Sequence, residues 1–199
     1  MPHVVLTGAE STYKTRLCEA LSEWLNMITV PEYAREYMRE NELDVAGLNE
    51  AVFTTIARGQ IEQQRSNGYY DVQADSVLFD TDGITLAVWA ADKFQPAAEE
   101  FSSVPEHLHY LLCAPTNRAY EDPLREDLTR RIELHQRYVD MLDAVNASYT
   151  ILNEVVFEDR LLEAKSAMKS WGLHHTIKFI IQHLAQLVPF MEFVHVTIN

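Results

Sequence analysis

The segment Gly8-Ala9-Glu10-Ser11-Thr12-Tyr13-Lys14-Thr15 constrains this chain more than any other. It follows an apolar run, His3-Val4-Val5-Leu6-Thr7, which reads as a strand buried in a parallel sheet. It precedes Leu17, Ala20, Leu21, Trp24 and Leu25, spaced as one face of a helix. A short loop between a buried strand and a helix is the setting of a phosphate-binding loop, whose backbone N–H groups turn inward on an anion. Gly8, Glu10, Ser11, Thr12, Tyr13, Lys14 and Thr15 are therefore the candidate cradle. Lys14 is expected to reach the outer phosphates of a nucleotide, and the Thr15 hydroxyl to sit on Mg²⁺. The motif asks for a second glycine where this chain has Tyr13. Glycine lets the backbone approach a phosphate with no Cβ in the way. We expect Tyr13 to keep an ordinary negative φ at the helix start, with its ring swung outward.

The rest of the chain alternates short apolar runs with helical stripes. Strands are expected at 27–30, 76–79, 107–114 and 149–152 besides the first. Residues 47–67 read as a helix with Leu48, Val52, Ile56 and Ile61 as its apolar side. Further helices are expected at 83–93, through Leu128, Ile132, His135, Val139 and Leu142, and at 158–171 through Leu161, Leu162, Lys165, Met168 and Trp171. Strand and helix repeated about five times predict a three-layer α/β fold, a parallel sheet of about five strands with helices on both faces. We expect residues 1–172 to form one domain and 173–199 an amphipathic extension, with Ile177, Ile180, Ile181, Leu184, Leu187 and Val188 on one side. That extension is too interrupted to span a bilayer, and it can dock on the core or on a second copy of the chain.

Several candidate site residues fall at the carboxyl ends of the expected strands, where α/β sheets bind ligands. Glu32 follows the second strand and can hold a substrate hydroxyl or act as general base. Arg35, one turn later, can hold a phosphate or pair with Glu32. Asp80 and Asp82 end the third strand as Asp-Thr-Asp; an acid there can hold Mg²⁺ beside the loop hydroxyl, and we expect Asp80 on the metal and Asp82 on the substrate. Tyr33, Tyr37 and Trp89 are expected around the substrate pocket, Trp89 as a core residue or stacked on a flat ring. His107 and His109 alternate onto one face of the fourth strand and read as structural, with no third ligand in sight. A polar segment near 115–131 gathers Arg118, Arg125, Arg130 and Arg131 and reads as a lid, with Arg125 closing on a transferring phosphoryl group.

Charge narrows the partners. A net charge of −14 argues against a nucleic-acid surface and against docking on anionic membranes. A phosphate site in so acidic a chain must create its own positive field. Cys18 and Cys113, on a helix and a strand, read as two buried thiols rather than a disulfide. The first strand starts almost at Met1, so no leader is expected and the cytoplasm is the expected location.

With these residues in place, the chain resembles the ribosylnicotinamide kinase domain of the NadR family, a P-loop nucleoside-kinase-like fold. The resemblance runs from about Val4 to about Trp171. It rests on residues 8–15, on Glu-Tyr-Ala-Arg-Glu-Tyr at 32–37, on Phe-Asp-Thr-Asp at 79–82 and on Asp-x-Leu-Arg at 122–125. It implies ATP and Mg²⁺ at the loop, and nicotinamide riboside in the crevice near Glu32, Arg35 and Asp80. The expected activity is phosphorylation of that nucleoside to nicotinamide mononucleotide. Lys14 and Arg125 would stabilise charge, and either Glu32 or Asp80 would serve as base. Two other readings stay open: a kinase for another nucleoside or nucleotide, and a nucleotide-binding regulator that no longer turns over.

Overall fold

The computed structural model describes residues 2–44, 47–94, 104–116 and 130–174. Five apolar runs form its strands: β1 (His3–Thr7), β2 (Ile28–Val30), β3 (Val77–Asp80), β4 (Leu108–Cys113) and β5 (Ser148–Leu152). Six helices alternate with them: α1 (Lys14–Leu25), α2 (Tyr33–Glu40), α3 (Glu50–Ser66), α4 (Gly83–Lys93), α5 (Arg131–Ala144) and α6 (Phe157–Ser170). The strands pair in the order β2-β3-β1-β4-β5, all parallel. Parallel strands need crossovers, and the helices supply them while covering both faces of the sheet.

The period-two alternation of the strands sorts the core into layers. Val4, Leu6, Leu78, Leu111 and Leu152 pack with Leu17 and Leu21 of α1 and Ala164 and Met168 of α6. Val5, Phe79, Tyr110 and Leu112 face the other way, onto Ile84 and Val88 of α4 and Leu134, Tyr138 and Leu142 of α5. A third cluster joins Met38 of α2, Phe53, Ile56 and Ala57 of α3, and Leu86, Ala87 and Ala90 of α4. Cys18 and Cys113 are free and buried. Burial raises both thiols, Cys113 to about 11.

Three helices turn faces that differ from the expected stripes. In α3 the buried residues are Phe53, Ile56, Ala57, Gln60 and Gln64, whereas Val52 and Ile61 are half-buried. In α5, Arg131, Leu134, Tyr138 and Leu142 are buried and Ile132 is 79% exposed. In α6, Arg160, Ala164, Ala167 and Met168 are buried and Leu162 is exposed. In each case long polar side chains occupy the inner face, so apolar spacing alone picks a stripe rotated by one residue. The expected histidine pair is structural: the His107 ring meets the Tyr69 carbonyl, and His109 bonds Ser148 and stacks on Trp171. Among the described residues, no helix is long and apolar enough to cross a membrane. The expected lid residues Arg118 and Arg125 and the tail stripe from Ile177 lie outside the described residues.

Candidate functional site

Because every strand is parallel, the carboxyl ends of β1, β2 and β3 lie on one edge of the sheet, and they bring Gly8, Glu32 and Asp80 together. Gly8 leaves β1 with φ +127°, and a Cβ at this position would lie 2.6 Å from the Cys113 carbonyl oxygen. Only glycine lets the loop start so close to β4. The chain then turns through Ser11 and Tyr13, at φ 59° and 70°, before α1 begins. Thr12 Oγ1 donates to the Ala9 carbonyl at 2.8 Å. Lys14 Nζ folds over the loop and donates to the carbonyls of Gly8 and Ala9, both at 2.8 Å.

Tyr13 corrects an expectation. It is not at negative φ but in the left-handed region, ψ 13°, as the cap residue of α1. The turn demands the conformation that glycine takes freely, and a side chain there costs about 1–2 kcal/mol. The ring offsets part of this. It meets the Phe157 ring edge-on at 5.7 Å, and the Arg16 guanidinium lies 3.6 Å from the other partner's centroid, that of Phe157. Sequence spacing gives no sign of this contact, since Phe157 lies at the start of α6.

A floor of hydrogen bonds holds the loop from below. Arg160 is fully buried. Its Nη1 donates to the Thr12 carbonyl at 3.0 Å and to the Ala114 carbonyl at 2.9 Å, and its Nε donates to the Glu154 carbonyl at 2.6 Å. One side chain thus ties the loop to the ends of β4 and β5.

Beside the loop, Thr15 Oγ1 donates to Asp80 Oδ2 at 2.6 Å. Asp80 is 4% exposed, and its second oxygen, Oδ1, is buried with no partner among the described residues. A hydroxyl and a carboxylate with an unmet oxygen are the hard donors that Mg²⁺ takes, so these residues fit the ion. Glu32 stands across from them, its side chain 21% exposed, with Arg35 3.6 Å away. Burial raises the Glu32 carboxyl above the ordinary range, and the Asp80 charge adds to the shift. Lys14 and Arg35 pull it the other way.

A cavity of about 280 Å³ runs from this edge. At one end it is lined by Gly8 and by residues 10–16, and at the other by Met38, Leu48, Phe53, Ile56, Leu86 and Trp89. Glu32, Arg35 and Gln60 lie on its wall as well. A smaller recess of about 200 Å³ adjoins it, between Thr15, Glu32, Arg35, Arg39 and Asp80. Lys14, Arg16, Arg35 and Arg39 line these spaces together with Glu10, Glu32, Glu36 and Asp80, and Arg35 and Arg39 pair with Glu32 and Glu36.

Three expected pocket residues, Asp82, Tyr33 and Tyr37, stand outside the cavity lining. Asp82 is fully buried and caps α4, accepting from the Ile84 N–H at 3.0 Å and from the hydroxyls of Tyr69 and Tyr110. Tyr33 does not line the cavity. Its ring lies over Gly59, where a Cβ would come within 2.1 Å of it, and this close seat packs α2 on α3. Arg130 engages Asp92 at 2.9 Å and Glu133 at 3.4 Å, and Arg131 is buried at the start of α5. Gln60 and Thr85, buried polar residues that break the apolar pattern of α3 and α4, and Thr81, in the bend between β3 and α4, belong to the wall and were missed.

Solved structures share this fold. A NadR protein in complex with NR superposes with a TM-score of 0.65 at 21% identity, over 85% of this chain and 50% of the other. A NadR protein in complex with NAD and AMP-PNP gives 0.64 at 22%, over 85% and 49%. This chain therefore spans about half the length of those proteins. Thymidylate kinase from Candida albicans gives 0.62 at 12% identity, over 87% of this chain and 93% of the other. No curated protein sequence matches. The model of the AAA domain family matches residues 3–160, from the first strand to the arginine beneath the loop, and the chain belongs to that family.

Proposed function

We propose that this chain is an ATP-dependent small-molecule kinase whose acceptor is the 5′-hydroxyl of nicotinamide riboside, giving nicotinamide mononucleotide. The observation that carries this reading is a single cavity with a phosphate loop at one end, an apolar wall at the other, and the Glu32 carboxyl on its wall. Such a space suits a nucleoside whose sugar hydroxyl points at the loop and whose base lies against Trp89. The named NR and AMP-PNP complexes of the NadR structures support the ligand pair.

In this mechanism Lys14 leaves the Gly8 and Ala9 carbonyls and pairs with the β- and γ-phosphates. Thr15 and Asp80 would hold Mg²⁺, which would supply charge neutralisation at the phosphates. Glu32 takes the proton of the acceptor hydroxyl as its oxygen bonds to the γ-phosphorus. The bond from that phosphorus to the β–γ bridging oxygen breaks, and ADP leaves. A carboxyl raised above its ordinary range is the stronger base for this step. Positioning and fixed charge supply the rest of the acceleration.

A kinase for another nucleoside or nucleotide would use the same machinery, and the thymidylate kinase fold favours keeping that second reading. Phosphoryl transfer from ATP to a panel of nucleosides and nucleoside monophosphates tests both. Lys14→Ala should cut turnover about a hundredfold or more while the protein stays folded, through loss of preorganised positive charge. Activity that survives this substitution in a folded protein refutes the assignment of the loop.

A further inference from the structure

We infer that Gln60 is a specificity-determining residue that donates a hydrogen bond to a carbonyl oxygen on the planar group of the acceptor. The inference rests on reading the cavity as the site of a nucleoside acceptor.

The placement follows from the helix. Phe53, Ile56 and Gln60 fall at i, i+3 and i+7 of α3, so they share one face, and all three line the cavity. Gln60 is 2% exposed. Its Oε1 accepts the backbone N–H of Tyr33 at 3.0 Å. An N–H can be met only by the oxygen of an amide, so this bond fixes which end of the side chain is which. Nε2 is left buried, with two N–H donors and no partner among the described residues. An unmet buried donor is costly, and such a group inside a binding cavity is met by the ligand.

The surroundings define that ligand. Met38, Leu48, Phe53, Leu86 and Trp89 offer apolar and aromatic surface to a flat ring. Nε2 can only donate, so the ring must carry an acceptor. An exocyclic carbonyl oxygen, such as that of a carboxamide or a lactam, fits this demand, and an unsubstituted ring leaves the donor unmet. A site built to hydrogen-bond its substrate rejects the analogue that lacks the partner atom more strongly than an apolar pocket rejects a missing methylene.

Calorimetric titration of the full chain with nicotinamide riboside and with pyridine riboside, which lacks the carboxamide, tests the inference. The natural protein should prefer the carboxamide ligand by about ten- to a hundredfold. Gln60→Met should bring that ratio close to one and leave pyridine riboside binding within a few-fold. Gln60→Glu keeps an acceptor for the Tyr33 N–H and replaces the donor with oxygen, so it should also abolish the preference. It serves alone if the methionine variant does not fold. Equal loss of both ligands in these variants would mean that the side chain only holds α2 on α3, and would overturn the inference. So would a natural protein that shows no preference, or that binds neither ligand. Turnover with ATP, measured in parallel, separates the two readings. Preference without phosphorylation removes the kinase and keeps the role of Gln60. Phosphorylation without preference does the reverse.

Discussion

At Tyr13 the usual order of side-chain stabilities should invert. In a helix interior, alanine is more stable than glycine by up to about 1 kcal/mol. Position 13 has φ 70° and ψ 13°, where a Cβ meets the following carbonyl and costs about 1–2 kcal/mol. Against this, glycine gains more freedom in the unfolded chain, worth about 0.4–1 kcal/mol. The difference makes Tyr13→Gly more stable than Tyr13→Ala by about 0.5–1 kcal/mol. Both variants lose the edge-on contact with Phe157, a pair worth about 0.5–1.5 kcal/mol. The alanine variant should therefore fall clearly below the natural protein, while the glycine variant lies close to it or slightly below. Urea unfolding reads these differences. With a slope near 2–3 kcal/mol/M, the two variants' midpoints should lie about 0.2–0.5 M apart. The same glycine variant should bind ATP·Mg²⁺ at most about tenfold more tightly, roughly 1.4 kcal/mol, because the loop already has the glycine conformation. Alanine equal to or more stable than glycine would refute the left-handed assignment. ATP binding that appears only in the glycine variant would refute a working natural loop.

Three further outcomes are expected. Gly8→Ala places a Cβ 2.6 Å from the Cys113 carbonyl at φ +127°, and should cost about 3 kcal/mol or more; a melting temperature within about 2 °C of the natural protein would contradict it. Asp80→Asn should weaken Mg²⁺-dependent ATP binding about ten- to a hundredfold and metal-free binding much less, and equal losses by calorimetry would make Asp80 purely structural. His3 is buried, accepting the Val77 N–H at Nδ1 and reaching the Gly68 and Asp71 carbonyls from Nε2, and burial lowers its pKa. Because the unfolded chain then binds the proton more readily, stability is present above the unfolded value near 6.5 and falls as pH drops below it, by at most about 1.4 kcal/mol per pH unit. His3→Gln should flatten this part of the pH dependence, and an unchanged slope in urea unfolding between pH 5 and 7.5 would count against it.

The sequence made the sheet legible because buried parallel strands are nearly continuous apolar runs, and β1, β3 and β4 are fully or almost fully buried. The loop was legible because Gly8, Lys14 and Thr15 keep fixed spacing between a strand and a helix. The backbone at Tyr13 was not, because a conformation imposed by the turn leaves no mark when the residue itself prefers another. Helix faces were read less well. Arg131 and Arg160 are both buried, Arg160 through partners far away in sequence, and a stripe search counts them as solvent residues. Gln60 escaped for the same reason, since its oxygen is met by the Tyr33 backbone, 27 residues away. Asp82 looked like a ligand for substrate, yet its carboxylate is consumed by Ile84, Tyr69 and Tyr110. A carboxylate after a strand is equally suited to capping the next helix.

The guanidinium of Arg160 gives the site a schedule. Its partner carbonyl on Thr12 lies 148 residues earlier in the chain. During synthesis at about 5–20 residues per second, roughly 7–30 s separate the appearance of the loop from that of the arginine that supports it. Over that interval the nascent chain carries the signature residues of a nucleotide site without the floor that fixes their shape. Nucleotide can reward the finished geometry only after α6 has docked. Binding would then act late in folding, as a selection for chains completed through that helix rather than as a nucleus for the strands that emerge first.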